Sequence, residues 1–304
     1  MKILVTGATG FIGTRLCQVL SEAGHTLTAL SRDPLSAKIR LPPLQQVFPW
    51  DALAGSPPAE AFSGVDAVIH LAGVSVAGRW NEAKKKLLYD SRMLGTRHLV
   101  SGMKSLPSRP KVIISASGIG YYGDRGEENV TEESGPGSDY FAEICKAWEE
   151  EVSRAQELGI RAVSLRISTV LGPGGGAMQA LLPMFKVGLG GPLGSGRQWW
   201  SWVHRDDVVS LIQYALERDV HGAVNATAPR PVRQQEFART LGRVLRRPAF
   251  LPAPAFALRL MLGEFSSGLL GSIRAFPKRA QELGYSFRYP ELEPALRDIL
   301  RSSH

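Results

Sequence analysis

The opening stretch, Met1 to Leu16, constrains this chain more than any other. Ile3, Leu4 and Val5 form a short apolar run, Thr6-Gly7-Ala8-Thr9-Gly10-Phe11-Ile12-Gly13 follows, and a helical pattern starts at once. A strand, a glycine turn and a helix in that order put Gly7 where the chain must turn tightly. Gly10 then stands where backbone approaches a ligand, and Gly13 where the helix sits on its strand. The unpaired N–H groups at the helix start face outward, which suits a pyrophosphate. A second strand, His25 to Ser31, arrives about where a βαβ unit needs it, and this context raises the glycine spacing above a chance pattern.

Composition narrows the class. With 304 residues and 44% apolar content the chain can bury one large core, and one main domain with a C-terminal lobe is expected. There is no apolar run of about 18 residues, and the N-terminus enters a strand after one lysine. Neither a membrane span nor a secretory signal is expected. Cys17 and Cys145 give no disulfide framework and no metal spacing, which fits a reducing cytoplasm. The net charge of +8 raises a nucleic-acid reading, but Lys84-Lys85-Lys86 and Arg246-Arg247 read as solvated surface. A small anionic ligand would draw on the same field, so a small molecule is the expected partner, with neither nucleic acid nor membrane. Nothing in the pattern sets the oligomeric state.

Along the chain, the second strand ends in Leu30-Ser31-Arg32, where a dinucleotide-binding protein selects its adenosine ribose. An acid here would repel a 2′-phosphate, whereas Ser31 and Arg32 donate to one, which reads as NADP. Pro34 to Pro58 reads as loop around a third strand, Gln45 to Pro49, with Asp51 just past its end. Val65 to Gly73 supplies a buried strand ending in small residues. A helix is expected from about Asn81 to Lys104 and a strand from Lys111 to Ala116. After it comes Ser115-Ala116-Ser117-Gly118-Ile119-Gly120-Tyr121-Tyr122-Gly123-Asp124, hydroxyls and glycines at a strand's C-terminal end, the edge where open α/β sheets bind ligands. Asp139 to Leu158 reads as helix, Arg161 to Ile167 as strand, and Gly172-Pro173-Gly174-Gly175-Gly176 as a mobile loop able to fold over a ligand.

The glycine turn, His70-Leu71-Ala72-Gly73, the segment from Ser117 to Gly123, Leu165-Arg166 before Gly172-Pro173, and Trp202-Val203-His204-Arg205-Asp206-Asp207-Val208 together resemble an extended short-chain dehydrogenase/reductase. More closely, Gly174-Gly175-Gly176-Ala177-Met178 through Leu189 to Gly196 resembles the atypical "epimerase family proteins". The stretch from Arg247 to Ile299, with Pro277-Lys278-Arg279 and Leu283-Gly284-Tyr285, is similar to their small domain. The resemblance implies an α/β fold, a doubly wound parallel sheet of Rossmann type with NADP across its C-terminal edge. The NADP-binding domain is expected over 1–172, with a strand and helix returning at about 202–226. The substrate lobe is expected over 173–201 and 227–304. Carried over by position, Gly7, Gly10, Phe11, Ile12 and Gly13 underlie the pyrophosphate, Ser31 and Arg32 take the 2′-phosphate, and Asp51 borders the adenine. Leu71, Ala72 and Gly73 line the middle of the groove, Arg92 reaches the cofactor as a cation, and Ser115, Arg166 and Val170 stand nearer the nicotinamide.

The sequence departs from the superfamily at its catalytic pair. That chemistry needs a tyrosine and a lysine one helical turn apart, so that the ammonium favours the phenolate as hydride moves. Four before Lys146 stands Ala142, and four after Tyr140 stands Ile144. Ser117, Tyr121, Tyr122 and His204 remain as candidate proton carriers. Trp199, Trp200 and Trp202 suggest an apolar enclosure next to the nicotinamide. Trp200 falls where sugar-nucleotide epimerases carry a diphosphate-gripping arginine, so a small carbonyl compound or an aromatic ligand fits better. Two readings stay open: an NADP-dependent oxidoreductase or epimerase with another proton carrier, and an NADP(H)-binding sensor or scaffold without turnover.

Overall fold

Ile3, Leu4 and Val5 are fully buried, as both faces of a parallel strand must be when helices cover them. They form β1 (Lys2–Thr6) in a computed structural model that describes residues 1–301. Residues 302–304, the end of the expected lobe, lie outside the described residues. α1 (Phe11–Glu22) follows the glycine turn, and β2 (Thr26–Ser31) lies parallel to β1, Lys2 opposite Thr26. Next comes a helix where loop is expected. Asp33 accepts from the Ser36 N–H and caps α2 (Pro34–Arg40), with Pro34 in its first turn. Proline there starts a helix, and seven residues are too few for a periodic signal.

β3 (Leu44–Pro49), β4 (Ala67–His70), α3 (Glu82–Lys104) and β5 (Val112–Gly118) follow, with Asn81 capping α3 through its side chain. A short β6 (Asn129–Val130) precedes α4 (Tyr140–Ser153), which Asp139 caps. β7 (Arg161–Ile167), β8 (Thr169–Gly172), α5 (Gly176–Lys186), β9 (Trp199–Trp200), β10 (Trp202–His204), α6 (Arg205–Glu217) and β11 (Gly222–Ala226) come next. Among the described residues the main sheet has seven strands in the order β11-β7-β5-β4-β1-β2-β3, all parallel. The order reverses between β1 and β4, and a crevice opens there at the strands' carboxyl ends. One face packs Ile3 and Val5 against Leu16 of α1 and Ile212 of α6. The other packs Leu4, Val68 and Ile113 against Met103 of α3 and Trp148 of α4.

A second lobe contains β12 (Val232–Arg233), α7 (Gln234–Leu245), α8 (Ala255–Leu262), α9 (Phe265–Leu270), β13 (Arg274–Ala275), α10 (Lys278–Glu282) and α11 (Leu292–Arg301). Its core joins Trp200, Trp202, Phe237 and Leu296 to Met178 and Phe185 of α5. Trp202 is completely buried and Trp200 packs on Phe237 at 4.2 Å between centroids, so these two tryptophans fill a core and enclose no ligand. Among the ties between the lobe and the rest of the chain, β13 pairs with β6, the Asp207 carboxylate on α6 accepts the N–H groups of Arg288 (2.7 Å) and Tyr289 (3.0 Å), and the Asn225 amide of β11 donates to the Phe276 carbonyl (2.9 Å).

The switch point is held by a buried polar chain. His70, at the end of β4, has Nδ1 2.7 Å from Thr6 Oγ1 and Nε2 3.0 Å from Thr96 Oγ1, while the Ala72 N–H donates to Thr6 Oγ1. Burial, with the Arg92 charge nearby, lowers the His70 pKa to about 4. The unfolded chain, with histidine near its ordinary 6.5, therefore binds more protons between about pH 6.5 and 4. Stability is fully present above that window and falls as the pH drops through it, by at most about 1.4 kcal/mol per pH unit. Urea unfolding at stepped pH is expected to show this slope, and His70→Gln to lower it by up to about one proton's worth. An unchanged slope in the variant would assign the acid sensitivity elsewhere.

Candidate functional site

The glycine turn is built by close backbone approach. Gly7 has φ +70°, and a Cβ there would stand 2.7 Å from the Leu71 carbonyl carbon and oxygen. A Cβ on Gly13 would stand 2.2 Å from the Gly7 oxygen, so neither position accepts a side chain. Gly10 differs: it is exposed, and a Cβ there meets only the Gly7 oxygen, at 3.1 Å. No side chain caps α1 and no acid stands in its first turn. Phe11, Ile12 and Gly13 thus present a bare helix N-terminus at the mouth of the crevice, a site that attracts anions.

At the β2 end, the Ser31 hydroxyl donates to the Asp33 carbonyl (3.0 Å) and accepts the Asp33 N–H (3.2 Å), while Arg32 is exposed. Arg40 of α2 donates to the Thr9 carbonyl at 3.3 Å, which brings a second cation to the turn. Sequence reasoning missed Arg40 because it missed α2; Asp33-Pro34 was the available cap signal. Asp51 is exposed and its carboxylate accepts the Leu53 N–H. Leu71, Ala72 and Gly73 follow β4 along the crevice, the first two half-buried and Gly73 exposed. Arg92 donates to the carbonyls of Leu88 and Val74, both at 3.1 Å, and lies over Trp148. It is committed to bracing the segment after β4, in contrast to the expected free cation.

The inner end of the crevice holds a connected polar network. Ser117 donates to Glu149 at 2.6 Å, and Glu149 takes two bonds from Arg166, at 2.9 and 2.8 Å. Arg166 also donates to the Tyr122 hydroxyl (3.0 Å), which donates to Asn225 (2.7 Å). Burial alone would lower the Arg166 pKa; the Glu149 carboxylate more than reverses that, and the guanidinium is held protonated. Tyr122 is completely buried and its pKa rises to about 12, so this expected proton carrier is a structural hydroxyl. Arg166 is 4% exposed with three of its N–H groups on Glu149 and Tyr122, so it stands as a paired, buried charge in contrast to the expected cofactor ligand. Ser115 is likewise sealed in, with its hydroxyl on the Ala116 carbonyl. Tyr121 is half-buried beneath the Arg166 guanidinium at 3.4 Å and borders a separate surface pocket of about 290 Å³ between α4 and the starts of β7 and β11, beside Lys146, Glu150 and Ser164.

Two α4 residues stand against the end of β5 and the turn after it. The Cys145 sulfur lies 3.5 Å from where a Cβ on Gly118 would stand, and Phe141 Cβ lies 3.2 Å from that of Gly120. Phe141 and Cys145 are one turn apart, and burial raises the Cys145 pKa to about 12, so it is a neutral thiol. Tyr140 points away, to the Lys85 carbonyl, and Lys146 is exposed with Glu150 as its partner. His204 is also elsewhere. It caps α6, its Nδ1 accepting the Asp206 N–H, and its ring stacks on Tyr289 at 3.9 Å. Burial lowers its pKa to about 4, so this fourth candidate is a neutral cap at the lobe junction.

The run from Gly172 to Gly176 is a packed turn where a mobile loop is expected. Gly172 bridges Gly175 and Leu171 bridges Gly176. Cβ atoms on Gly172, Gly175 and Gly176 would approach the Phe11 ring to 2.9, 2.3 and 2.7 Å. Those glycines make room for Phe11, and Val170, half-buried on β8, lies beside them. Trp199 is sandwiched at 4.0 Å between Arg233 and Arg274, and its N–H donates to Glu127. Among the described residues no group of acids, histidines and cysteines has metal-site geometry.

A family model described as "NAD dependent epimerase/dehydratase family" matches residues 3–227. The chain belongs to this family. A second model, "Domain of unknown function (DUF1731)", matches residues 253–299. Among this member's relatives, an Arabidopsis thaliana protein called "Epimerase family protein SDR39U1 homolog, chloroplastic" is 41% identical, over 99% of this chain and 87% of its own. The Homo sapiens "Epimerase family protein SDR39U1" is 37% identical over 99% and 100%. A crystal structure of the human protein with NADPH superposes with a TM-score of 0.89 at 35% identity, covering 99% of both chains. A UDP-glucuronic acid 4-epimerase from Bacillus cereus, at 21% identity and a TM-score of 0.79 over the whole of both chains, shares the fold.

The contact between Phe11 and the glycine turn is directly testable. Gly175→Val is expected to destabilise the protein by about 1–3 kcal/mol through overpacking. Phe11→Ala in the same chain should recover part of that loss, because it vacates the space the new side chain needs. Urea titration of both single variants and the double variant measures this; strict additivity would show that the two side chains do not compete.

Proposed function

We propose that this protein binds NADP(H) along the carboxyl ends of β1, β2, β4 and β5, and that it does not epimerise by tyrosine–lysine proton transfer. The second half rests on one observation: Phe141 and Cys145, one turn apart on α4, are the residues that stand against Gly120 and Gly118, and neither a phenyl ring nor a neutral thiol serves as that pair. Support for the first half is the uncapped α1, the exposed Arg32 with Arg40 behind it, and the human relative crystallised with NADPH. Gly7 to Gly13 would then underlie the pyrophosphate, Ser31, Arg32 and Arg40 would take the 2′-phosphate, Asp51 would border the adenine, and Leu71 to Gly73 would line the middle. Reduced cofactor bound there would be able to supply a hydride. The two sequence features that argued for an enclosed substrate are otherwise engaged, the glycine run with Trp200 and Trp202 in packing and Trp199 with Arg233 and Arg274, which favours a binding role without turnover. A compartment that keeps both buried cysteines reduced suits this reading.

A second reading, an oxidoreductase on a small carbonyl compound, is favoured by Ser117, whose hydroxyl rests on Glu149 at the end of β5. In that case the Ser117 hydroxyl would turn from Glu149 to hydrogen-bond the substrate's carbonyl oxygen, and a solvent water would give the developing alkoxide its proton, leaving hydroxide to the bulk. Absorbance at the reduced nicotinamide band over a panel of carbonyl compounds separates the two. Oxidation that depends on the carbonyl compound and is lost in Ser117→Ala supports the enzyme; bound NADPH that stays reduced throughout supports the binding role.

Arg32→Ala is expected to weaken NADPH about tenfold to a hundredfold, roughly 1.5–3 kcal/mol for a charge-assisted bond, and to leave NADH nearly unchanged. Fluorescence titration measures both, and equal affinity of the unmutated chain for the two cofactors would overturn the assignment. Lys146→Ala should change any turnover by no more than about twofold, since its partner is a surface carboxylate. A thousandfold loss in kcat, about 4 kcal/mol of barrier, would put that lysine in the chemistry.

A further inference from the structure

The C-terminal lobe carries an apolar face that the described chain leaves uncovered. None of the eight residues of α8 is buried, and Phe256, Leu260 and Met261 are 73%, 71% and 69% exposed. Phe250 and Leu251 stand exposed just before it, and Met184, Val187 and Leu189 at the end of α5. The two segments form one surface. A Cβ on Gly188 would lie 3.3 Å from Pro248, Leu193 bridges Ala253, and the Ala253 N–H donates to the Pro192 carbonyl at 2.8 Å. Soluble proteins seldom leave such an apolar patch without a use for it.

Its charge is one-sided. No aspartate or glutamate occurs from Gly172 to Gln198 or from Phe237 to Gly263, while Lys186, Arg197, Arg239, Arg246, Arg247 and Arg259 are exposed there. Arg243 is already paired, with Glu293. On α8, Phe256, Arg259 and Leu260 share one side at helical spacing, so a cation and two apolar side chains project together. Phenylalanine and leucine beside arginine on a short surface helix is the composition that enters a lipid interface while cations meet headgroup phosphates.

We propose that this face binds the surface of an anionic lipid bilayer, with Phe250, Phe256 and Leu260 entering the interfacial layer and Arg246, Arg247 and Arg259 at the phosphates. A second copy of the chain is the poorer occupant, since two such faces would oppose arginine to arginine. The apolar side chains protrude, which suits a layer that deforms around them. The sequence gives no reason to expect a membrane partner because it has no spanning run, and among the described residues no helix is long and apolar enough to cross a bilayer. Interfacial binding needs neither. The proposal is independent of the cofactor reading.

The test uses the full chain and sedimentation with vesicles of phosphatidylcholine, alone or with about 30% phosphatidylserine, at low and high salt. Binding at least about tenfold tighter to the anionic vesicles, weakened by salt, is expected. Phe256→Ser with Leu260→Ser, and separately Arg246→Ala with Arg247→Ala, should each reduce it about tenfold. All four side chains are exposed, so the thermal midpoint should stay unchanged and serves as the control. Failure to bind, equal binding to both vesicles, or binding that survives both double variants would overturn the proposal. Lipid-independent dimerisation abolished by Phe256→Ser with Leu260→Ser would also overturn it, and would assign the face to a second copy.

Discussion

Three backbone segments meet at Gly7 without a side chain between them, and the crevice depends on that contact. The end of β1, the start of α1 and the residues after β4 come close enough that a methyl group at Gly7 or Gly13 would strike main chain that has nowhere to go. The Thr6, His70 and Thr96 side chains fasten the same junction from within. The contact places the bare helix N-terminus directly beside Leu71, Ala72 and Gly73. An anion drawn to those N–H groups therefore lies against a wall of backbone and small side chains, and α1, lacking a side-chain cap of its own, is completed by what binds there.

The ion pair of Glu149 and Arg166 plays the corresponding part at the inner end. Arg166 is withdrawn from water and Glu149 mostly so, at a cost that good geometry and further hydrogen bonds offset. Here two parallel bonds join the partners, Ser117 satisfies one carboxylate oxygen again, and Tyr122 accepts a third guanidinium N–H. The network continues through Asn225, whose amide donates to the Phe276 carbonyl in the second lobe. Losing either charged partner would strand the other, a loss of about 3–5 kcal/mol in comparable sites. The carboxyl ends of β5, β7 and β11 are thereby locked to α4 and to the second lobe.

Much of this was legible in the sequence because the signals were local. The glycine spacing, the Lys2 to Thr6 strand and the helices after Asn81 and Asp139 announce themselves within a few residues. The absent tyrosine–lysine pair is a matter of helical counting. What escaped depends on distant partners. Arg166 looks like a cofactor cation until Glu149, 17 positions earlier, is seen against it. His204 looks like a proton carrier until its ring is found against Tyr289. Gly172 to Gly176 reads as a flexible lid because a glycine chosen for space and a glycine chosen for freedom are spelled alike, and only the Phe11 ring distinguishes them. α2 was lost for a different reason: Asp33-Pro34 opens a helix and a turn with equal ease.

The two cysteines have a practical consequence. Cys17 faces the core beneath α1 and Cys145 the end of β5; both are buried and unpaired, and burial raises both thiols to about 12. Alkylating reagents attack the thiolate, so at neutral pH the native chain is chemically silent toward them. One cysteine introduced on the surface of each lobe would give a pair of dyes or spin labels with no native residue removed first. The chain is thus ready-made for spectroscopic distance work between its two lobes.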